Sequence, residues 1–403
     1  NVSTSGGTTA YSSGTVTLAA IADPVVSPTP GDLGTSPYNS SFSPQIASTG
    51  TDGSYAVTWM SYDSGNDYSV YVQKYNYDGT TRGAMVKLEG DTLTNNDLYP
   101  QITAVGNSGQ YVVAWMSNSD VNGDYSVFVQ KFNADGTKLG SINKLEYAGY
   151  DTYNERYFAV TGYGNDGSYV VAASTQGPTQ GSGALILQRF NTNSVATGSQ
   201  SLVASGNWVT SPSLDTLPDG GFVLGYTLFT SVNSQKYDAS GTLVSSSGSL
   251  YATGSSGGSK VYAIGSSGAY AVVWCDSGQN QAATYVKYYN AAGGSTLLTL
   301  NQDYTQNGQE PNDDLVAIGN DGSFVVSWRV FDNSTSYGTI NLQKFNASGA
   351  TVGSAVSLDI DPSTASYNFA SKMTALPDGS FVVSWYGQDV GTSPNNDYSV
   401  CLQ

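Results

Sequence analysis

The sequence predicts an all-β protein built from seven four-stranded antiparallel sheets set radially about one axis. Three observations carry that prediction: a phrase that occurs seven times, alternation of apolar side chains inside each copy, and Asp-Gly at both short connections of the unit. The phrase runs Asp52-Gly53-Ser54-Tyr55-Ala56-Val57-Thr58-Trp59 and returns as Ser108-Gly109-Gln110-Tyr111-Val112-Val113-Ala114-Trp115 and as Asp321-Gly322-Ser323-Phe324-Val325-Val326-Ser327-Trp328. Further copies begin at Asp166, Asp219, Ser267 and Asp378. The turn glycines Gly53, Gly109, Gly167, Gly220, Gly268, Gly322 and Gly379 lie 48 to 58 residues apart, so one unit is about 54 residues long.

Each unit reads as four strands. In the first, strand A runs from Gln45 to Ser48, and a D-G turn leads into strand B, from Tyr55 to Trp59. There Tyr55, Val57 and Trp59 alternate with Ala56 and Thr58, the two-residue period of a half-buried strand. A loop follows, then strand C from Ser69 to Asn76, which carries a second phrase: Tyr71-Val72-Gln73-Lys74-Tyr75-Asn76-Tyr77-Asp78-Gly79. That phrase recurs at Phe128–Gly136 and Leu342–Gly349, with weaker versions at Gln188, Gln235 and Lys287. A second D-G turn leads to strand D, from Ala84 to Leu88. Glycine supplies the positive φ that short antiparallel connections need. Seven such meanders in a ring form a β-propeller, in which each blade covers its neighbour.

Ring closure is an independent expectation. The seventh unit has strands A to C, and Thr15-Val16-Thr17-Leu18-Ala19-Ala20 reads like the fourth strands Ala355-Val356-Ser357-Leu358 and Met85-Val86-Lys87-Leu88. Residues 15–20 are therefore expected to complete blade seven, leaving 1–14 as an N-terminal tail and 15–403 as a single propeller. The first residue, Asn1, suggests a processed or excised piece of a longer precursor, and strand C of blade seven stopping at Gln403 suggests truncation.

Composition narrows the function. The 403 residues include 31 Asp plus Glu against 14 Lys plus Arg, a net charge of −17, and no histidine. Such a charge repels phosphate backbones, which argues against nucleic acid as a partner and favours a cation. Without imidazole there is no Ser-His-Asp triad, histidine-ligated zinc or globin-type haem. The two cysteines, Cys275 and Cys401, fall in different blades and read as buried, unbonded thiols. No run approaches the length of a membrane span. Scarce Lys and Arg with abundant Ser, Thr, Gly, Asn and Tyr favour a secreted or cell-surface protein.

The paired phrases resemble repeats of large secreted bacterial surface proteins and adhesins of the haemolysin-type, calcium-associated class. The resemblance spans about residue 44 to 403 and rests on a turn plus a strand, so it implies architecture: an extracellular propeller, adhesive or structural. The G-G-x-G-x-D runs of the calcium-binding β-roll are absent, so their metal chemistry does not carry over.

In a meander blade the A–B and C–D turns emerge on one face of the disc, while the B–C loops and D–A crossovers emerge on the other. The first face has near-identical D-G turns. The second has long variable loops rich in Asp, Asn and Tyr, where specificity on a repeated scaffold resides. Three B–C loops stand out there: Asp63 to Tyr68 with Asp67, Asp120 to Tyr125 with Asn122 and Asp124, and Asp389 with Asp397 and Tyr398. Closely spaced Asp and Asn oxygens suit Ca²⁺, the candidate cofactor, with Asp63, Asp67, Asp120, Asn122, Asp124, Asp389 and Asp397 as candidate ligands. The same residues are also ordinary turn formers whose side chains bond local amides.

Aromatic rings beside carboxylates and amides suit sugars, whose CH faces pack on rings while their hydroxyls bond polar groups. Candidate contacts are Tyr68, Asp97, Tyr99, Tyr125, Tyr153, Trp208, Tyr304 and Tyr398. Trp59, Trp115, Trp274, Trp328 and Trp385 share one strand position and read instead as packing between blades. Catalysis has weaker support, because the four arginines Arg82, Arg156, Arg189 and Arg329 are dispersed and no S-x-D-x-G-x-T-W box occurs. The sequence thus reads as a non-catalytic binding or structural module, with a surface glycan or another cell-surface protein as partner. The alternative is a calcium-dependent polysaccharide-active enzyme, a lyase or glycosidase.

Overall fold

The computed structural model describes residues 41–62, 67–90, 96–118, 124–146, 155–177, 182–207, 209–252, 256–276, 283–300, 314–332, 337–358, 366–376, 379–389 and 398–402. Among them every regular element is a strand. Blade one is β1 (Ser41–Ser48), β2 (Tyr55–Tyr62), β3 (Tyr68–Tyr75) and β4 (Val86–Leu88), hydrogen-bonded in that order. Blade two is β5 (Asp97–Ala104), β6 (Tyr111–Ser117), β7 (Ser126–Phe132) and β8 (Lys138–Leu145), and blade three is β9 (Glu155–Tyr163), β10 (Ser168–Gln176), β11 (Ser182–Phe190) and β12 (Ala196–Asn207). Blade four comprises β13 (Val209–Thr216), β14 (Phe222–Leu228), β15 (Ser231–Tyr237) and β16 (Leu243–Ser246), with the short β17 (Tyr251–Ala252) also pairing β15. Blade five is β18 (Ser256–Ile264), β19 (Ala269–Asp276), β20 (Ala283–Tyr289) and β21 (Ser295–Leu300), and blade six is β22 (Asp314–Ile318), β23 (Ser323–Asp332), β24 (Tyr337–Phe345) and β25 (Thr351–Leu358). Blade seven contributes β26 (Ser366–Ala375), β27 (Phe381–Asp389) and β28 (Tyr398–Leu402) and touches blade six through one parallel bridge, Gly338 to Tyr367. The seven-bladed propeller expected from the repeat is the observed fold. Its expected closing strand, residues 15–20, lies outside the described residues.

Both repeated phrases have a packing reason. The first aromatic of the B phrase pairs in register with the aromatic of the Q-K phrase in six blades: Tyr55 with Tyr75, Tyr111 with Phe132, Tyr169 with Phe190, Phe222 with Tyr237, Tyr270 with Tyr289, and Phe324 with Phe345. Every pair is stacked, with centroids from 4.5 Å (Phe222–Tyr237) to 5.2 Å (Tyr55–Tyr75) apart. Each such pair adds about 0.5–1.5 kcal/mol beyond the area it buries. The glutamine of the Q-K phrase ties strand C to strand D: Gln130 Nε2 donates to the Lys131 carbonyl at 2.7 Å and the Leu139 carbonyl at 3.1 Å.

The core lies between blades. Val70, Val72 and Leu88 of blade one meet Tyr111, Trp115 and Phe128 of blade two, and five similar apolar layers separate the successive blades from two to seven among the described residues. Trp115, Trp274, Trp328 and Trp385 belong to these layers, and Trp59 is buried, as their shared strand position predicts. Cys275 is a buried cysteine on β19. Cys401 lies on β28, with blade six between them.

The lysine of the Q-K phrase staples one blade to the next. Lys131 Nζ donates to the carbonyls of Gly167 (2.6 Å) and Thr192 (2.8 Å) in blade three, and Lys236 Nζ donates to Gly268 O of blade five at 3.0 Å. Arg189 does the same toward Ser240 O of blade four at 2.7 Å. At the inner rim the turns meet backbone to backbone: a Cβ on Gly106 would lie 2.7 Å from Gly167 N, and one on Gly265 would lie 2.9 Å from Gly322 Cα.

Candidate functional site

The two faces of the disc differ in what their carboxylates do. On the D-G face the aspartates are consumed locally: Asp52 Oδ1 accepts from Ser54 N at 3.0 Å, Asp135 Oδ1 from Thr137 N at 2.9 Å, Asp166 Oδ1 from Ser168 N at 2.8 Å and Asp321 Oδ1 from Ser323 N at 2.9 Å. The hydroxyl and amide of Ser54 hold the Asp52 carboxyl down at about 2. These groups close Asx turns and leave little for a ligand.

The opposite face is built by a recurrent irregularity of the innermost strands. In blades one, two, four and five, two residues of strand A oppose a single residue of strand B, between Phe42 and Gln45, Leu98 and Gln101, Thr210 and Ser213, and Ser256 and Ser259. The bulge residue has positive φ each time: Ser43 at 52°, Tyr99 at 54°, Ser211 at 53° and Gly258 at 64°. Bulges re-aim side chains at sheet ends, and a non-glycine residue held at positive φ marks a place where the fold pays for a shape. In blade two the result is Tyr99, 57% exposed at the mouth of the channel. One blade on, Tyr157 of β9 stands at the same sequence distance from its strand-B aromatic but pairs with Ser174, the register that Leu98 holds opposite Met116; it lies beside a bulge between Glu155 and Tyr157 and is 38% exposed. The two strands are tied directly, Gln101 Nε2 donating to Phe158 O at 2.8 Å. Tyr157 was not among the sequence candidates. The signal that could have found it is the alignment of Glu155-Arg156-Tyr157-Phe158 with Asp97-Leu98-Tyr99-Pro100.

Asp97 corrects one expectation. Expected as a ligand contact, it is 1% exposed, and its Oδ1 accepts from Trp115 Nε1 at 2.9 Å and from Gly90 N at 3.2 Å. Burial lifts its carboxyl to about 7 against the opposing pull of those donors. Asp97 is a strut that fixes the start of β5 beneath Tyr99. Asn96 clasps the neighbouring loops, accepting from Tyr68 N at 3.1 Å and donating its own amide to Asn118 Oδ1 at 2.8 Å.

The other candidates divide by position. Asp67 and Asp124 are buried at equivalent places just ahead of strand C, at 4% and 7% exposure. Tyr68 packs edge-on against Tyr62, and Tyr125 leans on the apolar layer between blades two and three, so both are partly structural. Asp389 ends β27 opposite Ser366, and Tyr398 begins β28 opposite Gln388, which puts both at the long-loop end of blade seven. Asp63, Asp120, Asn122, Tyr153, Trp208, Tyr304 and Asp397 lie outside the described residues. Among the described residues, no three carboxylates or thiols converge as a metal site.

Down the channel, side chains of one inner strand cap the next. Ser213 Oγ accepts from Val261 N at 3.1 Å, Asp215 Oδ2 from Ala263 N at 2.7 Å and Asp314 Oδ2 from Met373 N at 2.8 Å. These bonds satisfy amides on the inner edge, which no fifth strand covers. Asp314 Oδ1 also accepts the Tyr262 hydroxyl at 2.8 Å, and Lys372 Nζ stands 3.9 Å from it with its side chain 73% exposed. No helix among the described residues is long and apolar enough to cross a membrane.

No protein-family model matches the chain, and no curated protein matches it in sequence. Solved structures do. The Dos1 propeller is similar over 88% of this chain and 90% of its own, at 12% identity and a TM-score of 0.50. Polysaccharide lyase Uly1 is similar over 87% of each chain at 11% identity and a TM-score of 0.45. An α-L-arabinofuranosidase from Fusarium graminearum covers 76% of this chain and 92% of its own at 14% identity and 0.44. The first likeness shows the propeller fold, and the other two carry no argument about activity.

Proposed function

We propose that this propeller is a non-catalytic extracellular binding module that recognises glycans at the mouth of its channel on the long-loop face. The observation that carries the reading is the pair Tyr99 and Tyr157, both exposed near the long-loop ends of adjacent inner strands, beside bulges and with the strands tied by the Gln101 bond. Two rings fixed by backbone geometry offer an apolar platform at little entropic cost, which suits the CH face of a pyranose. The acidic, lysine-poor composition and the resemblance to bacterial surface repeats support an extracellular setting. A glycan array probed with the whole chain tests the proposal: retained glycans whose signal falls on Tyr99→Ala would support it, and an empty array would reject it.

Calcium belongs to the same reading as an organiser of the loops that flank this mouth. What supports it is the pair of buried carboxylates Asp67 and Asp124 at one register of blades one and two. Adding Ca²⁺ should raise the melting temperature by mass action, and Asp67→Asn should remove part of the increment while Asp52→Asn should not. A melting temperature indifferent to chelator would remove the metal from the account.

A further inference from the structure

The fourth strands form the circumference of the disc, and most of them have their free edge interrupted. In blades two, three and six, three residues of the fourth strand oppose the single glutamine of the Q-K phrase: residues 140–142 oppose Gln130, 198–200 oppose Gln188 and 353–355 oppose Gln343. Each excursion opens on a glycine at positive φ, Gly140 at 73°, Gly198 at 70° and Gly353 at 72°. In blade six Gln343 Nε2 fills it, donating to the carbonyls of Val352 and Gly353 at 3.3 Å each, and Gln130 does the same toward Leu139 and Gly140 at 3.1 and 3.4 Å. A bulge bends an edge strand and breaks its row of free N–H and C=O groups, so a second chain cannot extend the sheet. Blade one has instead the short β4, with Lys87 and Glu89 paired beside it, and β16 of blade four has four residues and a register shift of its own.

Blade five departs from this rule. Lys287 stands in the place of the glutamine, and β21 pairs with β20 from Ser295 to Leu300 without a shift. Its sequence, Ser-Thr-Leu-Leu-Thr-Leu, contains no charge, proline or glycine. Leu298 and Leu300 turn into the apolar layer between blades five and six, which fixes the strand. Ser295, Leu297 and Thr299 therefore share the other side of the pleat; all three are exposed, Leu297 by 45%. Among the described residues β21 is the one fourth strand with neither a register shift nor a charge at its edge.

We infer that this edge joins two copies of the chain, β21 against β21, antiparallel about a twofold axis through Leu297. Two features favour a second copy as the occupant. The axis sets Leu297 against its own counterpart and Ser295 against Thr299, so a leucine pair is flanked by hydroxyl pairs and the edge is complementary to itself. A chain of net charge −17 also repels its copy over most of its surface, and an uncharged strand lets two copies meet with no like charges opposed. The sheet then continues from the four strands of blade five in one copy into the same four in the other. The contact lies on the circumference and the channel mouth on the inner strands, so the inference is independent of the glycan-binding reading.

Sedimentation of the whole chain over a range of concentration and salt tests it. The average mass should rise with concentration from that of one chain toward that of two, and rise further as salt screens the repulsion between copies. Leu297→Lys sets two ammonium groups opposite each other across the axis and should raise the dissociation constant at least about tenfold. Val356→Lys, an equally exposed change on the bulged β25, should leave it unaltered. In the wild type, amide exchange at residues 295–300 should slow as concentration rises, a readout that holds even if a variant fails to fold. A chain that stays monomeric, association that weakens with salt or survives Leu297→Lys, or exchange at 295–300 indifferent to concentration would overturn the inference.

Discussion

The two faces of the disc are made by the same strands and obey different rules. On the D-G face the chain repeats itself because geometry leaves no choice: glycines of adjacent turns approach backbone to backbone, lysines of one blade reach carbonyls of the next, and aspartates close their own turns. On the long-loop face the repeat loosens, the inner strands bulge, and tyrosines and lysines stand where other blades have serine or glutamine. The lesson is a division of labour. One rim fixes the ring so tightly that the other is free to vary, and the strain of Tyr99 at a φ of 54° is tolerated because the opposite rim holds its blade in place.

The comparison breaks most visibly at the rigid rim. Gly106→Ala puts a Cβ 2.7 Å from Gly167 N at a φ of 63°, and should cost at least about 3 kcal/mol, read as a fall in denaturation midpoint. A chain that melts unchanged would mean the turns do not lock the blades.

Asp97 lets pH probe the other rim. Its unfolded carboxyl titrates near 3.8 and its folded one near 7, so between those values the folded state holds a proton the unfolded state has lost. Stability should therefore fall as pH rises from about 4 to about 7, at up to about 1.4 kcal/mol per unit, and level off above. Asp97→Asn keeps an acceptor for Trp115 Nε1 and should flatten that slope, matching the wild type near pH 4 and exceeding it at pH 8. Parallel pH profiles would show that Asp97 titrates normally.

Lys131 tests the staple itself. Lys131→Met keeps most of the packing but strands two carbonyls, those of Gly167 and Thr192, and should cost about 2 kcal/mol with no effect on glycan binding. The smallest effect should come from Tyr77, which is 78% exposed on the D-G face: Tyr77→Ala should change stability by less than about 0.5 kcal/mol.

The rigid rim was legible in the sequence and the working rim was only partly so, for physical reasons. Gly53 and its equivalents announce turns because positive φ favours glycine, and Tyr55 and Trp59 announce a strand because the pleat has a period of two. The bulge at Tyr99 carries no such mark, since the residue there is a tyrosine, and a serine stands at the same place in Ser43 and Ser211. Tyr157 escaped because its blade lacks the proline that follows the bulge at Pro44, Pro100 and Pro212. Asp97 looked like a loop carboxylate because its partner, the Trp115 indole, lies 18 residues away on the next strand. The Q-K phrase was visible as a repeat, but the bond of Lys131 to the following blade is tertiary and leaves no local signature.

The most direct test of this division compares tyrosine truncations on opposite faces. Glycan affinity is measured by calorimetry for the wild type, for Tyr99→Ala with Tyr157→Ala, and for Tyr77→Ala. The account predicts a loss of at least about tenfold for the double variant and none for Tyr77→Ala, with all three chains melting within about 3 °C of one another. Equal losses from the two faces, or a double variant that binds as the wild type does, would contradict it.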